Sequence, residues 1–86
     1  MIQSQHIMSD GTKVDVPQLE GCTFTLQELQ DFVGGYIELV PLGEGKVMVV
    51  NEEGRLKRLH PNHEASEIAG QDIVGNVLVT DQSLID

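Results

Sequence analysis

The most chemically specific residues of this sequence are cations placed close together in a chain that has few of them. Three of the five Lys and Arg residues lie within four positions, and a histidine follows: Arg55, Lys57, Arg58 and His60. A guanidinium offers a planar fork of donors that matches phosphate, whereas a lysine ammonium offers a mobile point charge. Asn62, at the predicted start of a helix, would add backbone donors and a favourable dipole. This basic cluster predicts an anion site, and the alternative is a solvated strand that balances Glu52 and Glu53 across a turn.

Tyr36 and the glycine before it could complete such a site. Tyr36 is either a core aromatic residue with a hydrogen-bonded hydroxyl or a stacking face for a base. Gly34 is explained by its place at the end of a helix, but Gly35 is less well explained by capping. Gly35 would let a ligand or another chain approach the backbone closely. The predicted ligand-binding residues, which a subunit interface would bring together, are Gly35, Tyr36, Asn51, Arg55, Lys57, Arg58, His60 and Asn62.

The sequence gives less support to a catalytic or metal-binding function. The sequence has no Gly-x-Ser-x-Gly elbow, no phosphate-binding glycine loop ending in Lys-Ser or Lys-Thr, and no His-Glu-x-x-His pair. Glu52 and Glu53 are adjacent carboxylates in a tight turn, where neighbouring side chains point apart into water. A predicted helix begins between His60 and His63, so these two side chains need not converge on a zinc ion. We therefore expect no enzymatic activity, no metal and no cofactor.

The charge balance restricts the classes of partner. A formal net charge of -9 argues against direct binding to nucleic acid, because such binding relies on Lys and Arg to neutralise phosphates. The fourteen acidic residues are spread from Asp10 to Asp86, which is typical of plain solubility. An acidic surface that mimics DNA is the alternative.

Targeting features are lacking from the sequence. No apolar run approaches the roughly 20 residues of a membrane span, and residues 1–4 begin no secretory signal. Cys22 is the single cysteine, so a disulfide framework is not expected. These features predict a cytoplasmic protein in a reducing setting, without membrane contact.

The clearest element is a helix over residues 26–33. Thr25 and Glu28 fit a capping box, in which each side chain accepts a hydrogen bond from the other residue's backbone. Apolar side chains recur at offsets of three and four residues and form one stripe. Gly34 follows at the position where a left-handed residue ends a helix.

Strands and a second helix are predicted from turn signals and alternation. A hairpin turn is expected at residues 10–11, a strand at 12–16 closed by Pro17, and a strand at 36–40 stopped by Pro41. The near-continuous apolar run at residues 46–50 indicates a strand covered on both faces. The remaining predictions are a turn at 51–54 with Gly54 at positive φ, a strand at 55–59, a short helix from Asn62 to Gly70, a strand at 74–79 and a tail at 81–86.

Together these elements predict one α+β domain over residues 1–86, with its core at about 26–80. Its fold would be a small, mostly antiparallel sheet packed against one main helix and one short helix. A domain of this size has a thin core. We therefore expect a symmetric homo-oligomer, most simply a dimer, that covers the apolar strands at 47–50 and 77–79.

Residues 30–79 resemble the family catalogued as domain of unknown function 3846, which occurs largely in phages, prophages and plasmids. Four motifs carry the resemblance: Gly34-Gly35-Tyr36-Ile37-Glu38, Val49-Val50-Asn51-Glu52-Glu53-Gly54, Asn62 with Ala65, and Asp72-Ile73-Val74-Gly75-Asn76. The resemblance implies a small accessory protein of a mobile element. It implies no activity and no catalytic residue.

Two functions fit these observations. The first is a phage-encoded counter-defence protein that binds and sequesters a phosphate-bearing small molecule, such as a nucleotide immune signal, in the cytoplasm of the host. The second is a protein-binding accessory factor, including an acidic DNA mimic that inhibits a host DNA-binding enzyme. The basic cluster favours the first function, and the mobile-element context fits both.

Overall fold

A computed structural model describes residues 2–19 and 21–85. The elements follow the order β1 (Ile2–Ile7), β2 (Lys13–Gln18), α1 (Leu26–Val33), β3 (Ile37–Gly43), β4 (Lys46–Asn51), α2 (His63–Ala69) and β5 (Val77–Asp81), with a 3-10 helix at Gln82–Leu84. Five strands form an antiparallel sheet in the order β2-β1-β5-β4-β3. The predicted α+β class, with one main helix and one short helix, is confirmed. In the described residues, no helix has the length and apolarity needed to cross a membrane.

One helix packs on each face of the sheet. Alternate residues of a strand point to opposite faces. Accordingly, Val49 of β4 packs in the cluster of α1, whereas Met48 and Val50 pack in the cluster of α2. All four apolar residues of β4 are buried, which confirms the prediction of a strand covered on both faces. This cover comes from the chain's own helices.

Helix α1 forms as its sequence predicts. The Thr25 hydroxyl accepts a hydrogen bond from the backbone N–H of Glu28, and the Glu28 carboxylate accepts one from the backbone N–H of Thr25. Leu29 and Val33 bury the apolar stripe. The helix ends at Gly34, whose φ of 79° is the left-handed conformation that glycine adopts without a steric penalty.

Two predicted strand ends are wrong, and both errors have the same cause. Pro17 and Pro41 lie inside β2 and β3 instead of ending them. Both strands lie at the edges of the sheet. Proline lacks an N–H, but an edge strand has one side without a neighbour, so an outward-facing proline breaks no ladder bond.

The predictions for residues 8–12 and 51–59 need correction. The hairpin at Asp10 and Gly11 is confirmed, but its loop has one more residue than predicted, because the Met8 N–H donates to the Thr12 carbonyl. Residues 55–59 form turns and an irregular segment instead of a strand. Gly54 is not at positive φ; a Cβ there would lie 2.8 Å from Cγ2 of Val74, so close packing accounts for this glycine.

The C-terminal elements also differ from the predictions. The second helix is confirmed, with Asn62 as its N-cap and Gly70 as its left-handed end. The last strand begins at Val77 instead of residue 74 and continues to Asp81. The expected tail is wrong for residues 81–85, because Leu84 is fully buried beside α1 and the backbone carbonyl of Leu84 accepts from the Phe24 N–H. Met1 and Glu20 of the predicted domain and Asp86 of the predicted tail lie outside the described residues.

Candidate functional site

Within one chain, the eight predicted ligand-binding residues do not converge on one site. They divide between two surface concavities and positions outside both. The Tyr36 cleft has a volume of about 350 Å³ and is lined by Gln27, Gln30, Asp31, Gly34, Gly35, Tyr36 and Lys57. The β3 groove has a volume of about 340 Å³ and is lined by Glu38, Val40, Val50, Asn51, Glu52, Gly54, Arg55, Leu56, Gln71, Asp72, Ile73 and Val74.

The Tyr36 cleft brings three of the predicted residues together. The turn after α1 supplies Gly35 and Tyr36, and the irregular segment after β4 supplies Lys57. The side chain of Tyr36 is 65% exposed, which excludes its alternative as a core aromatic residue. The Lys57 ammonium lies 3.9 Å from Oε1 of Glu53, a partly exposed pair that a ligand can compete with.

Packing within the chain explains Gly35. A Cβ at this position would lie 2.9 Å from Nδ2 of Asn51 and 3.2 Å from Nζ of Lys57. The first distance is shorter than ordinary van der Waals contact, so an added side chain would displace the amide of Asn51. The absence of a side chain at Gly35 therefore lets Asn51 and Lys57 lie against the turn, and it also keeps the floor of the cleft open.

Asn51 holds the end of β4 to the end of α1. Its side chain is buried, its Nδ2 donates to the carbonyl of Val33 at 3.1 Å, and its Oδ1 accepts from the backbone N–H of Glu53 at 2.8 Å. Both ends of the amide are thus used inside the chain. The side chain holds together the segments that border the Tyr36 cleft, but Asn51 lines the β3 groove and not the cleft.

Asn62 is likewise a structural residue. Its Nδ2 donates to the carbonyls of Ile7 and Gly75 at 3.1 and 2.8 Å, and its Oδ1 accepts from the backbone N–H of Ala65 at 3.1 Å. The residue is only 1% exposed. Asn62 caps α2, as predicted, but the cap is buried in the core and lines neither concavity.

The remaining predicted residues do not line the Tyr36 cleft. Arg55 lines the β3 groove, where its Nη2 donates to the backbone carbonyl of Asp72 at 3.2 Å. Arg58 and His60 are exposed and line neither concavity. Arg58 adopts a left-handed φ of 53° within the turns that follow β4. Because these turns replace the predicted strand, the basic residues are distributed over different sides of the segment.

Sequence reasoning missed the polar face of α1 and the acidic lining of the β3 groove. Gln27, Gln30 and Asp31 share the helix face that borders the Tyr36 cleft, and their spacing of three and four residues is the signal that could have found them. Glu38 and Asp72 lie 34 positions apart in the sequence, so no local pattern connects them.

Carboxyl groups with lowered pKa values lie outside both concavities. The backbone N–H of Thr12 donates to the Asp10 carboxylate and lowers its pKa, and the backbone N–H of Ser83 does the same for Asp81. These groups stabilise turns. Within residues 2–19 and 21–85, no three His, Cys, Asp or Glu side chains are grouped as a metal ion would require.

Comparison with known proteins identifies a family. The family model described as Domain of unknown function (DUF3846) matches residues 5–83, which is nearly the whole chain. Beyond the 30–79 region that carries the sequence motifs, the match also includes the second half of β1, all of β2 and α1, and residues 80–83. No curated protein and no solved structure matches the chain.

Proposed function

The chain belongs to the family described as Domain of unknown function (DUF3846), and from this premise we propose that it is a non-catalytic binding protein. Its ligand is a phosphate-bearing small molecule of the nucleotide type, and the Tyr36 cleft is the binding site. In the phage or plasmid context that the resemblance implies, the protein sequesters a nucleotide immune signal in the host cytoplasm. It does so without a cofactor.

The observation that carries this proposal is the pairing of an exposed aromatic ring with an ammonium in one cleft. Tyr36 is the most exposed of the three Phe and Tyr side chains, and it lies beside Lys57. A base can stack on such a ring, and a phosphate can accept from such an ammonium. The volume of about 350 Å³ falls in the range of small-molecule sites, roughly 300–1,000 Å³.

The other polar groups of the cleft can supply orientation. Gln30 and Gln27 carry amides able to donate or accept, and Gln27 already donates to the Asp31 carboxylate at 2.8 Å. That carboxylate opposes an anionic ligand, and Lys57 is the one cationic residue in the lining of the cleft that can bind phosphate with a charge-assisted hydrogen bond. A charge-assisted hydrogen bond contributes about 1.5–3 kcal/mol. Removing it therefore weakens binding by at least about tenfold.

The direct test is calorimetry of the protein with a panel of cyclic and linear nucleotides. We expect at least one nucleotide to bind, and Lys57→Glu and Tyr36→Ala to weaken that binding by about tenfold or more. Arg58→Glu is the matched charge-reversal control, because Arg58 is exposed and lies outside the cleft. All three are surface changes that leave the fold intact.

Three results decide the outcome of this test. Binding that is lost in the Lys57→Glu variant and retained in the Arg58→Glu variant supports the cleft. Equal weakening by both charge reversals would mean that overall charge controls binding and would contradict the assignment. Failure of the wild-type protein to bind any nucleotide of the panel would contradict the function itself.

A second function, binding to a host protein, is favoured by the composition of the β3 groove. Three carboxylates line it, from Glu38, Glu52 and Asp72, against the single guanidinium of Arg55. This excess of negative charge disfavours a phosphate ligand there and suits a cationic one.

A further inference from the structure

Within residues 2–19 and 21–85, strand β3 has no neighbouring strand on one side of its backbone. It is the last strand of the sheet beyond β4. The backbone N–H of Glu52 donates to the carbonyl of Tyr36 at 2.9 Å, so Tyr36 is a hydrogen-bonded position of the β3–β4 ladder. Such positions alternate along an antiparallel pair. Glu38 and Val40 therefore also bond toward β4.

The intervening residues direct their backbone groups outward. Ile37 and Leu39 each present an N–H and a carbonyl at the open edge, and Pro41 presents a carbonyl alone. In the described part of the chain, none of these outward groups has a recorded partner beyond the sheet. A strand added from another protein could pair with Ile37 and Leu39. At Pro41 the added strand could donate to the carbonyl, but it would find no N–H to accept from.

The same strand forms a wall of the β3 groove. Side chains of Glu38 and Val40 face the groove, because they lie on the face of the sheet that carries α2. Val50 and Ile73, each 7% exposed, lie at its base, and Leu56 at its rim is 83% exposed. The groove thus combines an apolar base and rim with an adjoining edge of unpaired backbone.

The charges of the groove specify what would fit it. The carboxylates of Glu38, Glu52 and Asp72 are on exposed residues, and within residues 2–19 and 21–85 none of them forms an ion pair. Arg55 is the only cation among the lining residues, and its guanidinium bonds to a backbone carbonyl. An incoming segment with Lys or Arg side chains would complement this lining, whereas an acidic segment would be repelled.

From this combination we propose that the β3 edge and its groove bind an extended basic segment of a partner protein by strand addition. The segment pairs with the backbone of Ile37 and Leu39, and every second side chain lies on the groove face. Those side chains are Lys or Arg residues that meet Glu38 and Asp72. The proposal rests on the second proposed function, binding to a host protein at the β3 groove, and specifies the chemistry of that partner. It needs no residue of the Tyr36 cleft, so nucleotide binding and peptide binding can fail independently.

The test uses fluorescence anisotropy with labelled peptides of alternating sequence. The probe carries Lys at alternate positions and Val or Thr between them, and a matched peptide carries Glu in place of Lys. A third peptide keeps the Lys probe sequence but has N-methyl groups on the backbone face that would pair with β3. We expect the Lys probe to bind, and the other two peptides to bind at least about tenfold more weakly.

Variants of the protein separate the edge from the charge. Leu39→Pro removes an outward N–H without removing a bond to β4, and the Glu38→Gln/Asp72→Asn double variant removes two carboxylates. Each should weaken binding of the Lys probe by about tenfold or more, and circular dichroism checks that each is folded. Asp15→Asn, on the opposite edge strand β2, is the charge control and should bind as the wild type does.

Other outcomes overturn the proposal. Equal binding of the Lys probe and its N-methylated form would exclude strand addition even if Leu39→Pro does not fold. An equal effect of Asp15→Asn would show attraction to the whole acidic chain instead of to the groove. A dimer that Leu39→Pro dissociates, with no peptide binding, would assign the edge to a second copy of this chain.

Discussion

Replacement of Asn62 separates a structural role from a ligand-binding role. Asn62→Ala removes the acceptor for the Ala65 N–H and the donors to the Ile7 and Gly75 carbonyls. Loss of a helix N-cap costs about 1 kcal/mol, and each of the other two hydrogen bonds contributes about 0.5–1.5 kcal/mol. The expected loss of unfolding free energy is therefore roughly 2–4 kcal/mol. A domain of this length has roughly 4–13 kcal/mol in total.

Asn62→Ser distinguishes the two contributions. A serine hydroxyl can still accept the Ala65 N–H and cap α2, but it cannot reach both carbonyls. The serine variant should therefore be more stable than the alanine variant by about 1 kcal/mol. Asn76→Ala, which removes a single acceptor for the Ser9 N–H, is the control and should cost less than Asn62→Ala.

Urea unfolding followed by far-ultraviolet circular dichroism measures these differences, because the chain has no tryptophan. The slope of unfolding free energy against urea should stay the same in all variants. A loss of unfolding free energy below about 1 kcal/mol for Asn62→Ala would contradict this prediction, because three backbone groups lose their hydrogen bonds to Asn62 in the variant.

Three further predictions concern other parts of the fold. Leu84→Ala should reduce the unfolding free energy by about 2–5 kcal/mol in urea titrations, because the side chain is fully buried. A reduction near zero would mean that residues 81–85 behave as the tail that the sequence predicts. Thr25→Ala should reduce it by about 0.5–2 kcal/mol through loss of the α1 cap, and thermal unfolding would show no change if the cap is unimportant. The lowered pKa of Asp10 means that its stabilising contribution is present above the ordinary value of 3.8 and is lost as the pH falls through the folded-state pKa. Comparison of urea midpoints should therefore show the wild type losing stability relative to Asp10→Asn as the pH falls below 3.8, whereas parallel profiles would contradict this.

Elements whose signals are local were predictable from the sequence. Helix α1 is specified by a capping box, an apolar stripe and Gly34 within ten consecutive residues, and its bounds match the prediction. The apolar run of β4 likewise predicts burial on both faces of the sheet, and its apolar residues are buried. The predicted strand ends at Pro17 and Pro41 are wrong because the consequence of a proline depends on whether its strand is central or at an edge. That position follows from the strand order, which no local pattern contains.

The candidate site was harder to predict because it depends on tertiary contacts. The sequence predicts a strand for the basic cluster, but turns place Lys57 at the Tyr36 cleft and Arg55 at the β3 groove. It also predicts that Asn62 contacts a ligand, yet the amide of Asn62 donates to the carbonyl of Ile7, which is 55 positions away. The sequence shows that a residue is polar, but it does not show whether its hydrogen-bond partner is a ligand or a buried backbone carbonyl. Tyr36 and Lys57 both combine a predicted binding role with an exposed side chain in the cleft.

The most direct test of the proposed function is a nucleotide titration of isotopically labelled protein, followed by the backbone amide resonances of each residue. We expect saturable shifts concentrated at Gly34, Gly35, Tyr36 and Lys57, with the amides of β2 at the far edge unchanged. Shifts that instead follow Arg58 and His60, or an absence of shifts with every nucleotide tested, would contradict the claim that the Tyr36 cleft captures a phosphate-bearing small molecule.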